Sequence, residues 1–127
     1  MDYLYRFNFR VKKILRDRQI PMKIIERIED IDKPFTNAVI TIGKDIPTRF
    51  CIDANAHALA RYAALCQEAD LVPIVEPEVL MDGPHDIQRC QDVTAATLKS
   101  VFTALFEHCV LLEGILLKPN MVLSGTE

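Results

Sequence analysis

Leu112–Val122, LEGILLKPNMV, is an apolar run of strand character with one lysine set into it. Alternation at period two puts Leu116, Lys118 and Asn120 on one face and Ile115, Leu117 and Pro119 on the other. Burying an ammonium without a partner is costly. A lysine in such a run therefore either sends its head to water along a packed stem or is driven toward its neutral amine. A neutral amine is a nucleophile toward a carbonyl carbon. On this stretch alone both readings stand.

Two more strands precede it. Ala38–Gly43, AVITIG, is short, β-branched and ended by glycine, as a buried strand should be. Leu71–Leu80, LVPIVEPEVL, is apolar except for Glu76 and Glu78. Between them Asp53 or Asn55 can cap a helix reaching about Ala69, with Ala56, Leu59, Ala60, Ala63 and Cys66 or Leu65 on its buried side. Asp82-Gly83 marks a turn. A long helix then runs from about Asp86 to His108, with Ile87, Val93, Ala96, Leu98, Val101, Phe102, Leu105 and Phe106 as its apolar side. The order is β-α-β-α-β. Helices of this length between buried strands imply parallel pairing, with the strands buried on both faces. Doubly wound sheets and (β/α)8 barrels share that pattern. Glu76, Glu78 and Lys118 lie late in their strands, where a (β/α)8 barrel gathers its catalytic groups. No glycine-rich phosphate loop follows the first strand, which weighs against a dinucleotide fold.

Glu76 and Glu78 are two apart in a strand and share a face. Pro77 between them donates no hydrogen bond, so the ladder is expected to be irregular there. Two neighbouring carboxylates repel, and one of them should hold its proton more tightly. That suits a group that both takes and gives a proton. A lysine on the inner face of the next strand would partner the other. The alternative is a buried ion pair with no chemistry.

The remaining candidates are weaker. His57, His85 and His108 have no partner at ligand spacing, so no metal site is expected. Cys51, Cys66, Cys90 and Cys109 show neither CxxC nor finger spacing and read as reduced thiols in the packing of a cytoplasmic protein. The formal net charge of −3 argues against a nucleic-acid binder. No apolar run approaches the ~20 residues of a membrane span. Charge is uneven along the 127 residues: residues 1–33 hold nine Lys and Arg against six Asp and Glu, and residues 34–127 hold six against twelve. In the first part Ile24, Ile25, Ile28 and Ile31 fit one helical face, opened by Pro21. The cluster Arg10, Lys12, Lys13, Arg16 and Arg18 fits a solvated face better than a phosphate site.

From about Ala38 to Gly125 the chain closely resembles class I fructose-bisphosphate aldolase. The resemblance rests on ANAHALARYAALCQ, LVPIVEPEVLMDG, the helix opening HDIQRC and LLEGILLKPNMVLSG, in the family's order and spacing. It implies an α/β fold, a partial TIM (β/α)8 barrel whose fourth, fifth and sixth strands are AVITIG, LVPIVEPEVL and LEGILLKPNMV. It implies that Lys118 is the Schiff-base lysine, that Glu76 is the acid/base, and that Glu78 belongs to the same network. The implied reaction cleaves fructose 1,6-bisphosphate, a sugar bisphosphate, to glyceraldehyde 3-phosphate and dihydroxyacetone phosphate, with no metal or cofactor.

A whole barrel takes ~250 residues, about twice this chain. Residues 1–37 do not resemble the family, so the expected division is 1–37 and 38–127. A truncated or frame-disrupted gene, a misassigned start, or a replaced N-terminus would each give such a chain. Where the family carries a Lys-Trp-Arg triplet before AVITIG, this chain has Phe35-Thr36-Asn37. Lys118 then has desolvation alone to make it a free amine. The family's phosphate-holding residues have no counterpart here. Three parallel strands leave open edges, so self-association, as a homo-oligomer or with a complementing fragment, is expected. The alternative to a lyase is an inactive half-barrel that serves as an interaction module or is a remnant.

Overall fold

The computed structural model describes residues 38–126. The helix expected at Ile24–Ile31, the basic cluster Arg10–Arg18 and the whole segment 1–37 lie outside the described residues. Strand β1 (Ala38–Ile40) leads to helix α1 (Arg49–Glu68). A strand in two pieces follows, β2 (Ile74–Val75) and β3 (Pro77–Val79). Helix α2 (Ile87–Glu107), one 3-10 turn (Leu112–Gly114) and strand β4 (Leu116–Leu117) complete the order. This is the expected β-α-β-α-β sequence, and both pairings are parallel.

The interruption falls where Pro77 predicts it. Up to Val75 the central strand pairs with β4, with Val75 opposite Leu117. From Pro77 it pairs with β1, with Val39 opposite Glu78. Alternation survives the interruption. Val75, Pro77 and Val79 are buried, while Ile74, Glu76, Glu78 and Leu80 are half-buried.

The buried face meets both helices. Val75 packs with Ala56, Leu59, Ala60 and Ala63 of α1 and with Val101, Ala104 and Leu105 of α2. Val79 packs with Ile40, Ile42, Ile52, Cys90 and Val93. Both helices therefore lie on one side of the sheet, and the charged residues face the other. The expected burial on both faces is corrected: only the helix side is fully packed among the described residues. In a barrel the inner face is filled by side chains of the remaining strands, which these strands cannot supply to themselves.

Local chemistry explains the boundaries. Helix α1 starts earlier than Asp53 or Asn55: Thr48 is its cap, its hydroxyl accepting from Cys51 N at 3.1 Å. Asp53 is used elsewhere. It accepts from Arg49 Nε at 2.8 Å and from Ser100 Oγ at 2.9 Å, tying α1 to α2. The Arg49 hydrogen bond, and then the Ser100 one, hold its carboxyl below the usual range. Further along α1, burial pushes the Tyr62 phenol up, and a hydrogen bond with Cys66 adds to it. Helix α2 begins about where expected and is capped by Asp86, whose side chain accepts from Arg89 N at 2.7 Å.

Both helices end in the same way without glycine. Asp70 (φ 57°) and Cys109 (φ 54°) take the left-handed position. Leu71 N bonds Cys66 O at 2.8 Å and Val110 N bonds Leu105 O at 3.0 Å, the six-to-one closure of a Schellman motif. Cys109 is exposed, and of the four cysteines only Cys90 is buried. The expectation that the cysteines are core packing holds for Cys90 alone, because Cys109 is spent on turning the chain.

The buried stripe of α2 also differs from expectation. Ile87, Phe102 and Phe106 are exposed, and Cys90, Val93, Thr94, Thr97, Ser100, Val101, Ala104 and Leu105 face inward. Small residues at three-four spacing let α2 approach α1 and the sheet closely, which a stripe of phenylalanines would prevent.

Candidate active site

Two devices set the register of β4. The Gln67 amide at the end of α1 makes both bonds a strand neighbour would make to Leu111: Nε2 donates to its carbonyl at 2.8 Å and Oε1 accepts from its N–H at 2.9 Å. Gly114 lies directly beneath, where an added Cβ would come 3.0 Å from Gln67 Nε2. From that fixed start Leu116 N reaches Pro73 O and Lys118 N reaches Val75 O, both at 2.9 Å. Lys118 is thereby delivered to the carboxyl end of the sheet, level with Glu76.

Its Nζ forms an ion pair and hydrogen bond with Glu76 Oε1. The two side chains come from adjacent strands and meet on the face away from the helices. Glu78 lies one register step further and lines the same cleft, of about 430 Å³, with Leu80, Met81, Asp82, Pro119, Asn120 and Met121. The three residues singled out from the sequence are thus gathered at one mouth. Three carboxylates, Glu76, Glu78 and Asp82, share that lining with one amine. The arrangement holds an amine directly against a carboxylate.

One expectation is corrected. The amine is not dry: the Lys118 side chain is 66% exposed and that of Glu76 22%. Desolvation needs atoms on the open side of the sheet, and the described residues place none there. The alternative of a buried ion pair is corrected in its burial alone, since Glu76 is half-buried and Lys118 is exposed.

Alternation puts Asn120 on the Lys118 face. Its side chain instead turns back to the strand: Oδ1 accepts from Val79 N at 3.1 Å, and Nδ2 donates to Met121 O at 2.9 Å. The signal in the sequence is Pro77, whose missing N–H breaks the ladder on that edge and leaves the next donor, Val79, to a side chain. Beyond it the segment doubles back over the preceding loop. Gly125 N bonds His85 O at 2.7 Å and Thr126 N bonds Met81 O at 3.0 Å. An added Cβ on Gly125 would fall 1.9 Å from Gly83 O, so only glycine fits there.

The histidines lie away from the cleft lining. His57, midway along α1, and His108, at the end of α2, meet with tilted rings, their centres 5.6 Å apart. His85 lies under the doubled-back segment, and His108 Nδ1 is 2.9 Å from Ala104 O. Among the described residues no group of three or more His, Cys, Asp or Glu is placed to hold a metal ion. No helix among them is long and apolar enough to cross a membrane.

Comparison with known proteins gives one answer. The family model of class-I fructose-bisphosphate aldolase matches residues 35–127. A protein of Xanthomonas campestris pv. campestris, named "Probable fructose-bisphosphate aldolase class 1", is 68% identical over 88 residues, covering 69% of this chain and 26% of that protein. Fructose-bisphosphate aldolase B of Gallus gallus is 58% identical over 88 residues, 69% of this chain and 24% of its own length. Among solved structures, the fructose-bisphosphate aldolase of Plasmodium falciparum, in complex with TRAP and a small-molecule inhibitor, superposes with a TM-score of 0.71. It is 54% identical, covering 72% of this chain and 27% of that one. The chain spans about a quarter of the length of the curated relatives it matches. Strand order, helices on one side, charged residues at the strands' carboxyl ends and the family match agree: this chain belongs to the class I fructose-bisphosphate aldolases.

Proposed function

We propose that residues 38–127 carry the imine-forming centre of a Schiff-base fructose-bisphosphate aldolase, acting on a sugar bisphosphate in the cytoplasm. The observation that supports this is the Lys118–Glu76 pair at the mouth of the cleft. Lys118 Nζ, as the free amine, attacks the ketone carbon of fructose 1,6-bisphosphate. Glu76, in contact with that nitrogen, takes its proton and returns one to the carbinolamine hydroxyl, which leaves as water. The iminium then accepts the electron pair of the breaking carbon–carbon bond as the neighbouring hydroxyl loses its proton. Glyceraldehyde 3-phosphate departs and an enamine stays on Lys118. Protonation of the enamine and addition of water release dihydroxyacetone phosphate and restore the amine. Glu78 stands one step along the strand as the second carboxylate of the network. No step calls on a metal or cofactor.

Among the described residues Lys118 is the one cationic side chain in the cleft lining, so cations beyond them would hold the two phosphates. A further stretch of barrel wall, in the same polypeptide, in a second copy or in a complementing fragment, would supply them and cover the exposed amine.

The test is reductive trapping. The chain is incubated with dihydroxyacetone phosphate, reduced with borohydride, and the labelled residue found by mass spectrometry of its peptides. An adduct on Lys118, lost in Lys118→Ala, is expected. No adduct on Lys118, or one confined to other lysines, would overturn the proposal and leave the alternative of a catalytically idle interaction module.

A further inference from the structure

The central strand and β4 are hydrogen-bonded only as far as Lys118 N and Val75 O. After that point they part. Along the edge of the central strand that faces β4, Pro77 has no N–H to offer, and the next donor is Val79 N. A continued ladder would meet that donor with a backbone carbonyl. Here the Asn120 side-chain carbonyl meets it, at 3.1 Å. The other end of the amide is held as well, donating to Met121 O at 2.9 Å and reaching Thr94 Oγ1 of α2 at 3.4 Å. The backbone at Asn120, two residues past the last ladder bond at Lys118 N, is therefore joined to Val79 through a side chain rather than directly. The space where the strands part is the cleft, whose lining includes Glu76, Glu78, Lys118 and Asn120.

We infer that Asn120 is a positioning residue: by standing in for a ladder carbonyl at Val79 it fixes how far β4 parts from the central strand, and so holds Lys118 Nζ against Glu76. This deepens the proposed imine chemistry and rests on it only for one of the measurements below. Asn suits the place because it offers an acceptor and a donor from one planar group. An unmet backbone N–H beside a proline break would otherwise be free to pull the chain into another register.

Asn120→Ala, in the full 127-residue chain, is read in three ways. Amide hydrogen exchange at Val79 should quicken by about fivefold or more, the weight of one ordinary hydrogen bond. Acylation of Lys118 by acetic anhydride, scored against the exposed Lys44 and Lys99 in the same digest, should also rise, because a nitrogen engaged with a carboxylate acylates slowly. Trapping of dihydroxyacetone phosphate on Lys118 should fall, because the proton acceptor has moved away. A general loosening would move Lys118, Lys44 and Lys99 together. The opposed change at Lys118 marks positioning.

Unchanged Val79 exchange, or unchanged Lys118 acylation, in a variant with wild-type circular dichroism would overturn the inference. If the parent chain shows no trapping while exchange and acylation respond as stated, the aldolase proposal fails and the positioning role stands. If trapping occurs in the parent chain and is unaltered in the variant, the positioning role fails alone. Should Asn120→Ala not fold, Asn120→Ser is read by the same criteria, since its hydroxyl is too short to meet Val79 N.

Discussion

Lys118 meets Glu76 at the residue where the central strand exchanges one neighbour for another. Glu76 belongs to neither β2 nor β3: the residue before it is paired with β4 and the residue after it with β1. A side chain there is anchored on both sides by ladders yet faces a gap that the ladders leave open. Chemistry on a rigid scaffold needs both properties, a fixed base and space for a substrate. The break that makes the space costs little in lost bonding, because Pro77 has no donor to lose and Asn120 meets the next one.

Glu76→Gln separates proton transfer from architecture. The amide can still accept from Lys118 but cannot take its proton. Trapping of dihydroxyacetone phosphate on Lys118 should slow by about 10²–10⁴-fold, the range for loss of a positioned acid/base. Stability in urea should move by less than about 1 kcal/mol, since the pair is solvent-exposed on the lysine side and such pairs contribute little. Equal trapping rates would remove Glu76 from the mechanism.

Glu76, Glu78 and Lys118, three of the four charged residues lining the cleft, were legible in the sequence because polar side chains in apolar strand runs are rare and their spacing fixes their face. The irregularity of the ladder was legible through Pro77; the exchange of neighbours there was not. The packing of α1 through Ala56, Leu59, Ala60 and Ala63 was legible, that of α2 only in part. Helix α2 buries Val93, Val101 and Leu105 as expected, but it presents Thr94, Thr97 and Ser100 inward and Phe102 and Phe106 outward, which a stripe drawn from hydrophobicity alone does not give. What selects the buried face is side-chain size at a close helix approach, and a list of apolar positions does not carry it. The helix ends themselves, at about Ala69 and His108, were legible; the means of ending was not, since Asp70 and Cys109 take the left-handed turn that glycine usually announces. The dry amine was inferred from strand burial and failed, because burial of an inner face depends on strands across the barrel rather than on the strand's own residues.

Adjacent residues of α2 test that lesson. Leu105 is fully buried in the larger core, while Phe106 is 81% exposed. Leu105→Ala should lower unfolding stability by about 2–5 kcal/mol, the usual cost of emptying such a site. Phe106→Ala should stay within about 0.5 kcal/mol. Urea denaturation followed by circular dichroism reads both. A larger loss at Phe106 would show that this side of α2 is covered in solution.

Asp53 should contribute to the acid sensitivity of the fold. Its hydrogen bond from Arg49, and then that from Ser100, hold its folded-state carboxyl below the ordinary value of 3.8. Between that value and its lower folded value the unfolded chain binds the proton and the folded chain does not, so stability rises with pH in this window. The contribution is complete above the ordinary value and disappears as pH falls through the folded one. Asp53→Asn cannot titrate, so its stability should depend less steeply on pH through the acid window, while Ser100→Ala, which keeps the Arg49 bond, should fall between the variant and the parent. Thermal unfolding from pH 2 to pH 6 measures all three. Identical acid limbs for parent and Asp53→Asn would mean that the α1–α2 tie through Ser100 carries no net preference for the carboxylate.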